Sequence, residues 1–73
     1  MPEIPNAAAD RIIRNATGLR VGADAAELLA EELDEIGKEI AEGAGKLARH
    51  AGRKTVKASD IKLAKSSWNP SRR

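Results

Sequence analysis

Residues 23–51 have the sequence ADAAELLAEELDEIGKEIAEGAGKLARHA, the longest regular pattern in this chain of 73 residues. Its apolar positions are three or four residues apart, which is the repeat of one helix face and not the alternation of a strand. Acidic residues form a second, offset stripe that suits contact with water. The pattern predicts one long helix, with an apolar face made of Leu29, Leu33, Ile36, Ile40, Ala44, Leu47 and Ala51.

A helix of this span would be roughly 43 Å long, and the rest of the chain is too short to cover it. The chain has no Phe, Tyr or Cys, and Trp68 is its only aromatic residue. A lone domain of this size, without a disulfide or a Cys-bound metal, would be only marginally stable. We therefore expect an obligate oligomer, in which a second copy of the long helix crosses the first near Gly37.

The net charge of +2 hides an asymmetry along the chain. Residues 1–42 contain ten acidic and four basic residues, a net charge of −6, whereas residues 43–73 contain one acidic and nine basic residues, a net charge of +8. Basic residues scattered evenly along the chain would indicate only that these side chains face solvent. The uneven distribution favours a basic face for a polyanion and an acidic face turned away from it.

The sequence gives no indication of a membrane partner. No apolar run approaches the ~18 residues of a membrane span. The first residues, MPEIP, lack the basic and apolar segments of a signal peptide. We expect a cytoplasmic protein.

Two shorter helices are predicted on either side of the long one. Asn6 is a candidate N-cap for a helix over residues 7–16, which the glycines of the following connector end. A third helix is predicted over residues 58–68, with Ile61, Ala64 and Trp68 facing inward. The prediction is an all-α chain of short, long and short helices.

The segments between and beyond these helices complete the organisation. Gly52 is the expected C-cap of the long helix, and residues 53–57 form a connector or a very short strand. We expect a short arm at residues 1–5, one domain at residues 6–68 and a basic tip at residues 69–73.

Two patterns that would suggest a nucleotide site or an enzyme are rejected. Residues 43–48 match G-x-G-x-x-A, but no strand precedes them and the chain cannot build a doubly wound sheet. His50 is the only histidine, and the acidic residues of the long helix form an exposed stripe without an apolar pocket. We predict no catalytic residue, no metal site and no cofactor.

The segment RKTVK, residues 53–57, is the best candidate for a functional site. It places three cations and a hydroxyl within five residues, just before a predicted helix start. Such groups bind phosphate. The chain has no aromatic platform for single strands and no exposed polar helix that could enter a groove and select bases. If the segment is more than a solvated turn, it favours duplex DNA bound by its backbone.

Residues 48–64, ARHAGRKTVKASDIKLA, resemble the second loop and third helix of archaeal histones. Residues 10–14, DRIIR, and Arg20-Val21 are similar to the first helix and first loop of that family, at matching distances. The resemblance covers about residues 4–66. It implies the histone fold (short helix, long helix, short helix), in which two chains form a handshake homodimer.

The resemblance also implies how such a dimer would bind DNA. Its contacts with phosphates and the minor groove would come from Arg11, Arg14, Arg20, Lys54, Thr55 and Lys57. Because these residues do not read bases, deformability of the duplex would set any preference. The expected function is non-sequence-specific binding, bending and wrapping of double-stranded DNA on the chromosome (nucleoid).

Dimers of that family join through a four-helix bundle. The matching positions are Leu47, His50, Asp60 and Leu63, and His50 would meet Asp60 of the neighbouring dimer. Arg53 would form an ion pair with Asp60 of its own chain. The expected partners are duplex DNA, further copies of this chain (a homodimer, then a tetramer or filament) and, for the dimer, a paralogous histone. One alternative stays open: a histone-fold module that binds another protein, with subsidiary DNA binding.

Overall fold

The structure is a computed structural model that describes residues 2–69. Over that range it contains three helices, α1 (Asn6–Thr17), α2 (Ala23–His50) and α3 (Ala58–Ser67), and no strand. The predicted all-α order of short, long and short helices is confirmed. Of the two alternatives for residues 53–57, a connector or a very short strand, the structure shows the connector.

The start of α1 differs from the prediction. Asn6 is the first helical residue and not the N-cap; Pro5 is the N-cap, in an extended conformation and without a side-chain cap bond. The Pro5 carbonyl accepts hydrogen bonds from the N–H groups of Ala8 (3.1 Å) and Ala9 (3.3 Å). A proline can precede a helix in this way because its φ is already close to the helical value.

The end of α1 depends on two adjacent residues. The Thr17 hydroxyl donates to the Ile13 carbonyl (2.8 Å) and accepts from the Leu19 N–H (3.1 Å). Gly18 follows with φ +71°, a left-handed conformation that a residue without a Cβ adopts at no steric cost. Its N–H donates to the Arg14 carbonyl (2.8 Å), which closes the helix.

Helix α2 begins after Gly22 and ends at His50, one residue before the predicted end. The Gly22 carbonyl accepts from the N–H groups of Ala25 and Ala26, both at 3.1 Å. At the other end Gly52 has φ +75°. The N–H of Gly52 donates to the Arg49 carbonyl and that of Arg53 to the Ala48 carbonyl, both at 2.9 Å, the bonding pattern of a Schellman motif.

Helix α3 stops at Ser67, and Trp68 follows in an extended conformation. Ala64 is buried as predicted, whereas Ile61 is 40% exposed in the single chain, so its inward position is not found there. Gly43 of α2 lies opposite Ala64: a Cβ on Gly43 would be 3.4 Å from the Ala64 Cβ. Of the predicted basic tip, residues 70–73 lie outside the described residues.

The chain divides into two compact units, residues 1–36 and residues 37–73. Among the described residues, the buried side chains are small, except for one carboxylate: Ala9, Ala26 and Ala30 in the first unit, and Ala44, Ala48, Asp60 and Ala64 in the second. The larger residues of the predicted stripe on α2, from Leu29 to Leu47, are only half-buried. Each unit therefore has an apolar side that its own residues cover incompletely.

None of the described helices combines the length and the apolar character that crossing a membrane would require.

Candidate nucleic-acid interface

The loop between α2 and α3, residues 51–57 (loop 2), is organised around the guanidinium of Arg53. Its Nη1 donates to the Thr55 carbonyl (3.1 Å) and to Asp60 Oδ2 (2.7 Å), and its Nη2 donates to Asp60 Oδ1 (2.8 Å). Paired N–H···O bonds between a guanidinium and a carboxylate fix direction as well as distance. The loop is thereby attached to the first turn of α3.

Asp60 fixes the same loop from the helix side. It is the third residue of α3, and its Oδ2 accepts from the Lys57 backbone N–H at 2.8 Å. This is one half of a capping box. The other half is missing, because a Lys side chain has no acceptor. Asp60 thus binds the loop backbone directly at Lys57 and through Arg53 at Thr55.

Both members of the pair are charged at neutral pH. The hydrogen bonds from Arg53, followed by that from the Lys57 N–H, lower the pKa of Asp60 well below its usual range. The hydrogen bond to Asp60 raises the pKa of Arg53 in turn. Asp60 is only 4% exposed, and such a carboxylate is stable in a buried position only with partners of this kind.

Three side chains of loop 2 are open to solvent. Lys54, Thr55 and Lys57 are exposed, while Arg53 is half-buried. Helix α3 begins directly after Lys57, so its N-terminal N–H groups and positive dipole end lie beside these cations. The second unit therefore presents two ammonium groups and a hydroxyl on a loop backbone that the Arg53–Asp60 pair holds in place.

The first unit contains the other candidate cations. Arg11 and Arg14 lie three residues apart on α1, and Arg20 lies in the connector between α1 and α2; all three are exposed. Arg14 Nε donates to Asp10 Oδ1 at 3.1 Å, with both side chains largely open to solvent. Exposed pairs of this kind contribute little to stability, so a phosphate could replace Asp10 at low cost.

The residues predicted to join dimers all belong to the second unit. His50 and Leu63 are exposed and Leu47 is half-buried, so these three are open to a partner. Asp60 is different, because it is buried and both of its oxygens already accept hydrogen bonds within the chain. Any bond from a neighbouring His50 would have to add to these contacts.

Sequence reasoning from the residue pattern missed three contacts. The spacing of four between Asp10 and Arg14 and the acid at the third position of α3 are recognisable signals. No signal indicated the third contact, in which the Trp68 indole N–H donates to Glu39 Oε1 at 2.8 Å, across 29 positions in sequence. Over the described part of the chain, no group of three His, Asp or Glu side chains is arranged to bind a metal.

Comparison with known proteins identifies the family. A sequence model of the family described as histone-like transcription factor (CBF/NF-Y) and archaeal histone matches residues 2–64. The chain is 55% identical, over 64 residues, to one of the subunits of archaeal histone HAN1 from Thermococcus zilligii; the alignment covers 88% of this chain and 96% of that protein.

Two proteins of Methanocaldococcus jannaschii are also similar. Probable archaeal histone 3 is 47% identical over 64 residues, covering 88% of this chain and 96% of the relative. The DNA-binding protein HmvA is 42% identical over 59 residues, covering 81% of this chain and 62% of the relative. The family match spans α1, α2 and most of α3, and the chain belongs to the family of histone-like transcription factors and archaeal histones.

Proposed function

We propose that this protein packages DNA: it binds duplex DNA by its phosphates, without sequence choice, as a handshake dimer that joins into larger assemblies. The observation that carries the proposal is loop 2, where the Arg53–Asp60 pair fixes the backbone and leaves Lys54, Thr55 and Lys57 exposed. The names of the relatives, two archaeal histones and a DNA-binding protein, support it.

The geometry suits phosphate better than bases. Lys ammonium groups and a Thr hydroxyl on a short loop reach outward only a few ångströms, and they bind phosphate oxygens without distinguishing one base pair from another. Because loop 2 is already ordered by Arg53, binding would not require the loop backbone to become ordered. Arg11, Arg14 and Arg20 would add contacts from the first unit.

Dimer formation is supported by the apolar residues that the single chain leaves open. Several large ones are 40–67% exposed, in both units: Ile12, Leu19, Leu28, Val56, Ile61 and Leu63. Scattered exposed apolar residues are ordinary, but among the described residues no large apolar side chain is buried to balance them. In a handshake dimer, the second copy of α2 would cover these faces and bring loop 2 of one chain beside the first loop of the other.

The remaining parts of the proposal concern boundaries and assembly. We propose an arm (1–5), a histone-fold domain (6–68) and a basic tip (69–73); in the arm, the Glu3 N–H donates to Asp34 Oδ1 at 2.9 Å. Dimers would join through Leu47, His50, Asp60 and Leu63. The protein would act on the chromosome as a structural component and not as an enzyme, alone or with a paralogous histone as dimer partner.

The test is fluorescence anisotropy with labelled duplexes of ~60 base pairs and unrelated sequence, titrated at several salt concentrations. We expect similar affinities for all duplexes, and an affinity that falls with salt with a log–log slope of about −0.9 for each phosphate neutralised. Weak binding even at low salt would contradict the proposal. It would favour the alternative function, a module that binds another histone-fold protein.

A pair of variants makes the test specific to loop 2. Lys54→Ala should weaken binding to all sequences equally and reduce the magnitude of the slope by roughly two per dimer, because each chain loses one phosphate contact. Lys65→Ala removes the same charge from the exposed last turn of α3. That control should leave the slope close to the wild-type value. Equal effects of the two substitutions would indicate a general effect of charge and not a contact made by loop 2.

A further inference from the structure

We infer that Trp68 belongs to the surface through which two dimers join, and that a second copy of this chain buries its indole ring. The inference rests on the proposed joining of dimers and adds to it a residue outside the set Leu47, His50, Asp60 and Leu63. Its basis is a groove between the C-terminal half of α2 and α3.

The groove has a volume of about 450 Å³. Its walls include Leu47 and His50, two of the residues proposed to join dimers, and Trp68. Gly43 and Ala64 also line it; a Cβ on Gly43 would be 3.4 Å from the Ala64 Cβ, so the two helices approach closely there. Because Trp68 and His50 line one groove, a neighbour that enters this groove would contact both side chains.

The indole is fixed in an orientation that suits an apolar contact. Its only polar group, the Nε1–H, donates to Glu39 Oε1 at 2.8 Å in a partly buried position. Trp68 itself is half-buried. A second chain that covers the remaining ring would therefore leave no donor without an acceptor, and burial of a large aromatic ring contributes strongly to association.

The charges of the groove favour a second copy of this chain over DNA. Glu39, Lys46 and His50 all line it, so acidic and basic groups lie on the same surface. A surface that contacts its own copy around a two-fold axis can pair Lys46 of one chain with an acidic residue of the other. A phosphate backbone would meet the Glu39 carboxylate, and like charges disfavour that contact.

Trp68 is the only Trp and the chain has no Tyr, so its emission reports on this site alone. The wild-type protein is bound to a duplex that accommodates one dimer and to one that accommodates several. We expect the emission to shift to shorter wavelength on the long duplex only, because only there does a neighbouring dimer cover the ring. The same emission on both duplexes would overturn the inference, and a shift already complete on the short duplex would assign the groove to DNA.

Substitutions test the energetic contribution. Trp68→Ala should weaken the association of dimers on the long duplex roughly tenfold or more, with unchanged affinity for the short duplex; Trp68→Phe, which keeps a ring but loses the donor, should fall between. Ser66→Ala is the matched control, since Ser66 is exposed on the same helix end and only its hydroxyl bond to the Leu63 carbonyl is lost.

The outcomes separate this inference from the function it rests on. If His50→Ala impairs joining and folded Trp68→Ala does not, the inference fails and the proposed function stands. If neither impairs joining, both the inference and the proposed surface between dimers fail. If the wild-type protein and all variants fail to bind the short duplex, the proposed function itself is contradicted. Should Trp68→Ala not fold, the wild-type emission and Trp68→Phe still decide the question.

Discussion

At the scale of single residues, Asp60 shows how a charge can be buried in a core whose other described members are alanines. It accepts two hydrogen bonds from Arg53 and one from the Lys57 N–H. Both partners belong to loop 2, so the carboxylate orders the same loop that carries the proposed phosphate contacts. The hydrogen bonds that offset the cost of burying this carboxylate also order loop 2.

This arrangement predicts how stability depends on pH. An Asp has a pKa of about 3.9 in an unfolded chain, and the contacts in the folded chain lower it. Asp60 therefore contributes stability above about pH 4, and the contribution is lost as the pH falls from there towards the lowered pKa. We expect Asp60→Asn, which keeps an acceptor for the Lys57 N–H, to be less stable than wild type at pH 7 and to approach it in acid.

Thermal unfolding at pH values between 7 and 2 measures this difference. The other carboxylates titrate in both proteins, so subtraction isolates Asp60. Arg53→Lys is the companion variant: it keeps the positive charge but loses the paired N–H···O geometry, and it should lose part of the same stability. A difference between wild type and Asp60→Asn that stays constant over the whole pH range would contradict the assignment.

At the scale of elements, the sequence predicted most of what local chemistry determines. The helices α1 and α2 end near Gly18 and Gly52, which both adopt a left-handed conformation. Both ends could be predicted from the positions of these glycines in the sequence. The start of α1 was mispredicted, because an Asn before a helix resembles a cap while Pro5 occupies that position. The Trp68–Glu39 contact could not be predicted, since contacts between positions so far apart depend on packing.

The candidate site also has one part that the sequence predicted and another that only the structure revealed. The cations of loop 2 were selected from composition and spacing alone, because clustered Lys and Arg before a helix start are groups that can bind phosphate. Their contact with DNA stays a prediction. That the loop is ordered by Arg53 acting on the Thr55 carbonyl required the structure. An exposed Ile61 could not be predicted either, since periodicity marks an apolar face without telling which chain covers it.

Two glycines of α2 give a test of where a second α2 would cross. A Cβ at Gly37 would meet nothing within 4 Å, and the nearest atoms to one at Gly45 would belong to the guanidinium of Arg49, at 3.6 Å. Helix propensity alone predicts that Ala at either position stabilises by up to ~1 kcal/mol. If the second copy crosses at Gly37, Gly37→Ala should instead destabilise the dimer, whereas Gly45→Ala should stabilise it.

Chemical denaturation of both variants, at one protein concentration, decides this point. The two substitutions are chemically identical and lie eight positions apart on one helix, so each serves as the control of the other. A gain in stability at both positions would exclude a close crossing at Gly37 and would move the proposed contact to another part of α2.

At the scale of the whole molecule, the chain has many exposed large apolar residues and a core of small ones. Leu19, Leu28 and Leu63 are each more than half exposed, and six alanines make up the apolar part of the core that the described residues form. Alanine buries little area, and apolar area removed from water is the main source of stability. The folded state should therefore depend on association.

The melting temperature should then depend on protein concentration. For a dimer that unfolds to separate chains, each tenfold dilution removes about 1.4 kcal/mol. For a folded unit of about 150 residues this corresponds to roughly 3–6 °C. His50→Ala, at the surface proposed to join dimers, should keep the same dependence, because the dimer itself remains intact. A melting temperature that does not change over a thousandfold dilution, together with a mass of 7.8 kDa by sedimentation, would mean that the alanine core is sufficient, and the handshake dimer would lose its physical basis.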